Sequence, residues 1–123
     1  MELDKDLAAR QEARTLACQA EQAQRLLTRM GQKKLDEIVE AVAKKFAAHA
    51  RELGEQAVQE TGFGNAADKQ TKNIFASETV AAAIRDMQTV GVLSRKEGLW
   101  EIGVSVGVIA AIVPSTNPTS TVC

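Results

Sequence analysis

Gly107-Val108-Ile109-Ala110-Ala111-Ile112-Val113-Pro114-Ser115-Thr116-Asn117-Pro118-Thr119-Ser120-Thr121 is the stretch on which the reading of this chain turns. Its first seven residues are an unbroken apolar run of strand formers, which reads as a strand covered on both faces, the usual state of a central parallel strand in an α/β sheet. Pro114 ends the run. The polar turn that follows sits at the strand's carboxyl end, where such sheets bind ligands. A parallel strand needs a partner reached through a connection of a dozen or more residues, usually helical. The sequence supplies no such crossover before the run, so the expectation is the front piece of a larger α/β fold.

Upstream, three helical segments are expected over about residues 5–90. From about Lys5 to Arg29, Leu7, Leu16, Ala20, Ala23 and Leu27 fall near one face, with Gly31 beyond the end. A second helix carries Leu35, Ile38, Val39, Val42 and Phe46 at helical spacing and is expected to run on, bent near Gly54, through Ala57 and Val58. Burying such side chains is worth roughly 1.5 to 3 kcal/mol each, so this face calls for a partner surface. Gly62 suits a left-handed helix end, and Asn65 with Asp68 resembles a capping arrangement. The third helix is expected from about Ala66 to Val90, ended by Gly91, with Ile74, Val80, Ala81, Ile84 and Met87 inward. From Leu99 the period changes to alternation at Trp100, Ile102, Val104 and Val106, so strands are expected over about 99–113 and a ligand-side turn over 114–121.

Composition narrows the function. The chain has 123 residues and a formal net charge of -1, with acidic and basic residues interspersed, three Phe, one Trp and no Tyr. Neither a basic footprint nor stacking platforms for nucleic acid are present. The N-terminus, Met1-Glu2-Leu3-Asp4-Lys5-Asp6, does not follow the pattern of a secretory signal, and no apolar stretch approaches the ~18 residues of a membrane span. Cys18 and Cys123 lack metal-ligand spacing, so no metal site is expected and a reducing cytoplasm fits.

The turn is the best candidate for chemistry. Asn117-Pro118 fits a helix opening, with Asn as the cap and Pro at the first helical position. Free backbone N–H groups there, with hydroxyls from Ser115, Thr116 and Thr119, could hold a phosphate or an oxyanion. The same residues would serve equally in an ordinary strand-to-helix turn. Gly62-Phe63-Gly64 follows a helix, and Gly98, Gly103 and Gly107 are wrongly spaced, so neither set is a dinucleotide fingerprint. His49 reads as a solvated helix-end residue and Cys18 as a packing residue.

Glu60-Thr61-Gly62-Phe63-Gly64, Asp68-Lys69, Lys72-Asn73, Ala76-Ser77, Asp86-Met87, Thr89-Val90-Gly91 and above all Val106 to Thr121 resemble the CoA-acylating aldehyde dehydrogenases. The resemblance runs from about Leu7 onward. It implies an aldehyde-dehydrogenase-type Rossmann-like domain, of which this chain would be the N-terminal helices and first strands. It also implies a reaction: aldehyde, CoA and NAD give acyl-CoA and NADH through a cysteine thioester. By the resemblance, Ile112, Val113, Pro114 and Ser115 would line the nicotinamide side of the cofactor, and Thr116 or Asn117 would stand beside the oxyanion. Ser105 departs from the proline common in relatives, and Cys123 is not the family's nucleophile, which lies further along. The 123 residues alone are therefore expected to be inactive. A small aldehyde and coenzyme A as substrates, a homo-oligomer, and a cytoplasmic site within reach of a microcompartment shell are further implications. The competing reading is a non-catalytic helical interaction or shell-docking module.

Overall fold

The computed structural model describes residues 4–123. The reading of the N-terminus as no secretory signal rests partly on Met1 to Leu3, which lie outside the described residues. In chain order the elements are α1 (Lys5–Leu27), α2 (Gln32–Ala48), α3 (Ala50–Thr61), α4 (Ala66–Ile74), a π-helical segment (Phe75–Val80), α5 (Ala81–Ile84), β1 (Gly91–Lys96), β2 (Leu99–Gly103) and α6 (Pro118–Val122). They fall into two units. One holds residues up to Gly31 with Thr89–Ala110, the other Gln32–Gln88 with Ala111–Cys123.

In the first unit, α1 buries none of its residues. Its last turn tightens as Arg29 and Met30 donate to the carbonyls of Leu26 and Leu27, three residues back, which ends the helix ahead of Gly31. Gln24 Nε2 donates to Ser105 Oγ at 3.0 Å, joining the helix to the segment after β2. The two strands form an antiparallel hairpin that pairs Gly91 with Gly103, Val92 with Ile102, Ser94 with Glu101, Arg95 with Trp100 and Lys96 with Leu99. Glu97-Gly98 makes the two-residue turn, with Gly98 at φ +75. The register shifts between Val92 and Ser94, leaving Leu93 as a bulge. Arg95 lies over the Trp100 ring, 4.2 Å from its centroid. Gly103 must be glycine, because a Cβ there would stand 2.2 Å from the Thr89 carbonyl oxygen.

The expected strand arrangement is corrected in two respects. β1 occupies Gly91–Lys96, ahead of the strands expected from about Leu99, and the third helix does not reach Val90. That helix instead closes after Ile84, where Arg85 and Met87 donate to carbonyls three residues back, at Ala82 and Ile84. Residues 104–113 form no ladder, and Val106, Ile109 and Ile112 are 88%, 71% and 101% exposed. An apolar run becomes a strand only when another backbone pairs with it, and among the described residues β1 and β2 pair only with each other.

The second unit is organised on the crossing of α3 and α4. Ala50 and Ala57 are its buried apolar residues, beside the buried Gly54. A Cβ at Gly54 would lie 3.0 Å from both the Ala66 carbonyl oxygen and the Gln70 nitrogen, so the backbones approach closely there. The break expected near Gly54 lies five residues earlier, at His49, which is exposed between α2 and α3. Gly54 is used for close packing rather than for a bend. The expected punctuation at 62–68 is present: Gly62 closes α3 at φ +70, and Asn65 Oδ1 accepts from the Asp68 N–H at 2.9 Å to open α4. The expected inward faces are less covered. Ile38, Val39 and Val42 on α2, Val80 and Ile84 further on, and Met87 are all exposed.

Candidate functional site

α4 builds this site. Lys69, Lys72 and Asn73 stand at i, i+3 and i+4, a spacing that puts all three on one helix face. That face meets the turn at 116–119. Lys69 Nζ donates to the Thr116 carbonyl at 2.8 Å. Lys72 Nζ donates to Asn117 Oδ1 at 2.7 Å. Asn73 Oδ1 accepts from Thr119 Oγ1 at 2.7 Å, while its Nδ2 donates to the Ala50 carbonyl at 2.9 Å. Asn73 is fully buried and Lys69 is 4% exposed. A lysine so enclosed requires a partner for its charge, and the carbonyl dipole of Thr116 is one.

The helix continues from α4 into π-helical geometry at Phe75. Buried Ser77 donates its hydroxyl to the Asn73 carbonyl at 2.7 Å, a bond that competes with the regular helical ladder. One side chain and one carbonyl of Asn73 thus link the turn, α3 and the helix distortion. Beside the turn runs an apolar groove of about 580 Å³, lined by residues including Ile38, Val42, Phe75 and Ile84, with Lys72 and Asn117 on its polar edge. Cys123 also lines it, and burial pushes its thiol above the ordinary range.

The expected site residues divide into two groups. Thr116 and Asn117 are brought to α4, the first through its carbonyl and the second through its side chain. Ile112, Val113, Pro114 and Ser115 are exposed along the approach to the turn. The helix expected to open at Asn117-Pro118 is present as α6, with Pro118 at its start. Asn117 does not cap it with its side chain; the Lys72 ammonium takes the amide oxygen instead. Lys69, Lys72 and Asn73 were legible only as part of the family resemblance. Their spacing on one helix face was the available signal of a shared role.

No family model matches the chain. An acetylating aldehyde dehydrogenase from Geobacillus thermoglucosidasius superimposes with a TM-score of 0.93 at 46% identity, over 98% of this chain and 27% of that one. An aldehyde-alcohol dehydrogenase of Clostridium acetobutylicum is 40% identical over 102 residues, 81% of this chain and 12% of the relative. An acylating sulfoacetaldehyde dehydrogenase of Cupriavidus necator is 39% identical over 118 residues, 93% of this chain and 24% of the relative.

The chain belongs to the acylating aldehyde dehydrogenase family.

Its helices and two-stranded hairpin are the fold of the matched region of an acetylating aldehyde dehydrogenase. The chain spans about an eighth of the aldehyde-alcohol dehydrogenase and about a quarter of the acylating sulfoacetaldehyde dehydrogenase that it matches. Among the described residues no helix is long and apolar enough to cross a membrane.

Proposed function

We propose that this chain contributes the cofactor-side strand end and oxyanion turn of an NAD-dependent, CoA-acylating aldehyde dehydrogenase, converting aldehyde, CoA and NAD to acyl-CoA and NADH. One observation carries the reading: the turn is tied to α4 at Thr116, Asn117 and Thr119. Attack on an aldehyde puts negative charge on its oxygen, and a donor already fixed in place stabilises that charge without reorganising. The Thr116 hydroxyl and Asn117 Nδ2 are the donors available for it.

The exposed approach suits the cofactor's ring end. Ile112, Val113 and Pro114 offer an apolar ledge against which a flat ring can rest, and the Ser115 hydroxyl lies at its polar end. When bound, NAD supplies the hydride acceptor. The chain's own contribution is to orient the ring and exclude water from one of its faces.

Neither cysteine is equipped as the nucleophile. Cys18 is exposed on α1, and the Cys123 thiol is shifted upward by burial, opposite to the activation that a thiolate nucleophile needs. The 123-residue chain alone should therefore form no NADH. The test is a chimera in which this chain replaces the matched region of the Geobacillus acetylating dehydrogenase. CoA-dependent NADH formation from acetaldehyde or sulfoacetaldehyde supports the reading. A chimera of native size and helix content that forms none refutes it, as does turnover by the isolated chain.

A further inference from the structure

The two ends of the Asn117 amide differ in chemistry, since the oxygen only accepts hydrogen bonds and the nitrogen only donates them. Which end faces the substrate decides whether Asn117 can stabilise an anion at all. Lys72 Nζ lies 2.7 Å from one end of that amide. An ammonium has three donors and no acceptor, so the end that faces it must be Oδ1. Nδ2 is then the end not engaged by Lys72, and it makes a long 3.5 Å contact with Thr116 Oγ1. Asn117 and Lys72 both line the apolar groove.

We propose that Lys72 is a positioning residue that fixes the orientation of the Asn117 amide, so that Nδ2–H is the end able to donate to the substrate oxygen. The bond does more than select an orientation. A positive charge on Oδ1 draws electron density through the amide and makes Nδ2–H a stronger donor.

Lys72 is well placed to act on the side chain without carrying the fold. It is exposed, whereas α4 is anchored to the turn on either side of it by the buried Lys69 and Asn73. Removing the Lys72 ammonium should leave the turn where it is and release only the amide. The inference rests on the aldehyde-dehydrogenase reading for its catalytic consequence, but its geometric content can be tested separately.

The sequence contains three asparagines, at positions 65, 73 and 117, so asparagine-selective nitrogen-15 labelling of the full chain gives three side-chain NH2 pairs. Lys72→Met is expected to move the Asn117 pair and leave the Asn65 pair in place, with Lys72→Arg restoring the Asn117 position. An Asn117 pair indifferent to Lys72→Met overturns the proposal. In the chimera, Lys72→Met is expected to lower kcat about tenfold, a fraction of the ~100- to 1000-fold cost of deleting an oxyanion donor. KM for NAD should stay within about twofold, and Lys72→Arg should recover most of kcat. An unchanged kcat, or an equal loss in both variants, overturns the positioning role. A chimera inactive before substitution counts against the functional reading, and the labelling result then decides the Lys72 geometry by itself.

Discussion

Replacing Asn73 tests whether one buried amide holds the turn against α4. The side chain is fully buried and makes two hydrogen bonds, one given to the Ala50 carbonyl at 2.9 Å and one accepted from Thr119 Oγ1 at 2.7 Å. Asn73→Ala removes both, each worth about 0.5–1.5 kcal/mol net, and leaves the Ala50 carbonyl short of a partner, at a cost of about 1–3 kcal/mol. The expected destabilisation is about 2–6 kcal/mol, a large share of the ~5–15 kcal/mol typical of a folded domain. Asn73→Asp keeps the shape but points an acceptor at the Ala50 carbonyl. The carboxyl introduced at position 73 is disfavoured as an anion when buried, so its folded-state pKa rises above the unfolded value near 3.9. With that sign, the protonated variant keeps its stability below about pH 4 and loses it progressively as pH rises through the folded-state value. Thr119→Val, which breaks a single bond, should cost about 1 kcal/mol. Urea unfolding followed by far-UV circular dichroism at two pH values measures all three. A neutral-pH midpoint for Asn73→Asp equal to that of the unsubstituted chain, or a loss under about 0.5 kcal/mol for Asn73→Ala, would refute the reasoning.

Gly103→Ala drives a Cβ into the Thr89 carbonyl, 2.2 Å away, and should cost about 1–3 kcal/mol or more and weaken the near-UV dichroism of Trp100, the only tryptophan. An unchanged Trp100 signal would show that the hairpin base gives way freely. Cys123, whose thiol is raised by burial, should react with iodoacetamide at pH 8 more slowly than the same residue in an unstructured peptide of the last ten residues, as followed by mass spectrometry. Lys44→Met should raise the pKa of Glu40, which the hydrogen bond and charge of Lys44 now hold below the usual carboxylate range. Stability from a lowered carboxylate pKa is present above the unfolded value and is lost as pH falls, but this pair is exposed, so the carbon-13 titration should move and the melting temperature should not.

What could be read from the sequence depended on whether the cause was local. Gly62 and Asn65 were legible because a left-handed helix end and an Asn cap are decided within a few residues. The family resemblance was legible for a related reason, since the motif at 106–121 is contiguous. Of the hairpin only the second strand was expected; Gly91–Lys96 was left unassigned although Glu97-Gly98 separates two strand-like runs, because its residues show no clean alternation and the bulge at Leu93 breaks the period. The run at 107–113 carries the composition of a central strand, but composition supplies only the side chains. The hydrogen bonds come from a neighbouring backbone that the described residues do not provide. At the site, the roles of Lys69, Lys72 and Asn73 depend on contacts made 45 to 47 positions away in sequence, at Thr116, Asn117 and Thr119. Residues that far apart leave no periodic trace. Asn117 was assigned to cap α6 because nothing nearby competed for its oxygen, and the competitor proved to be a lysine from another helix.

The α3–α4 crossing is closed by small residues and buried polar ties rather than by large side chains, and this has a calorimetric consequence. Heat capacity rises on unfolding chiefly as apolar surface becomes hydrated, while newly hydrated polar surface lowers it. A unit whose interior is Ala50, Gly54, Ala57, Lys69, Asn73 and Ser77 should therefore melt with an unusually small heat-capacity increment for its size. Its free energy would then vary gently with temperature, and cooling would weaken it little.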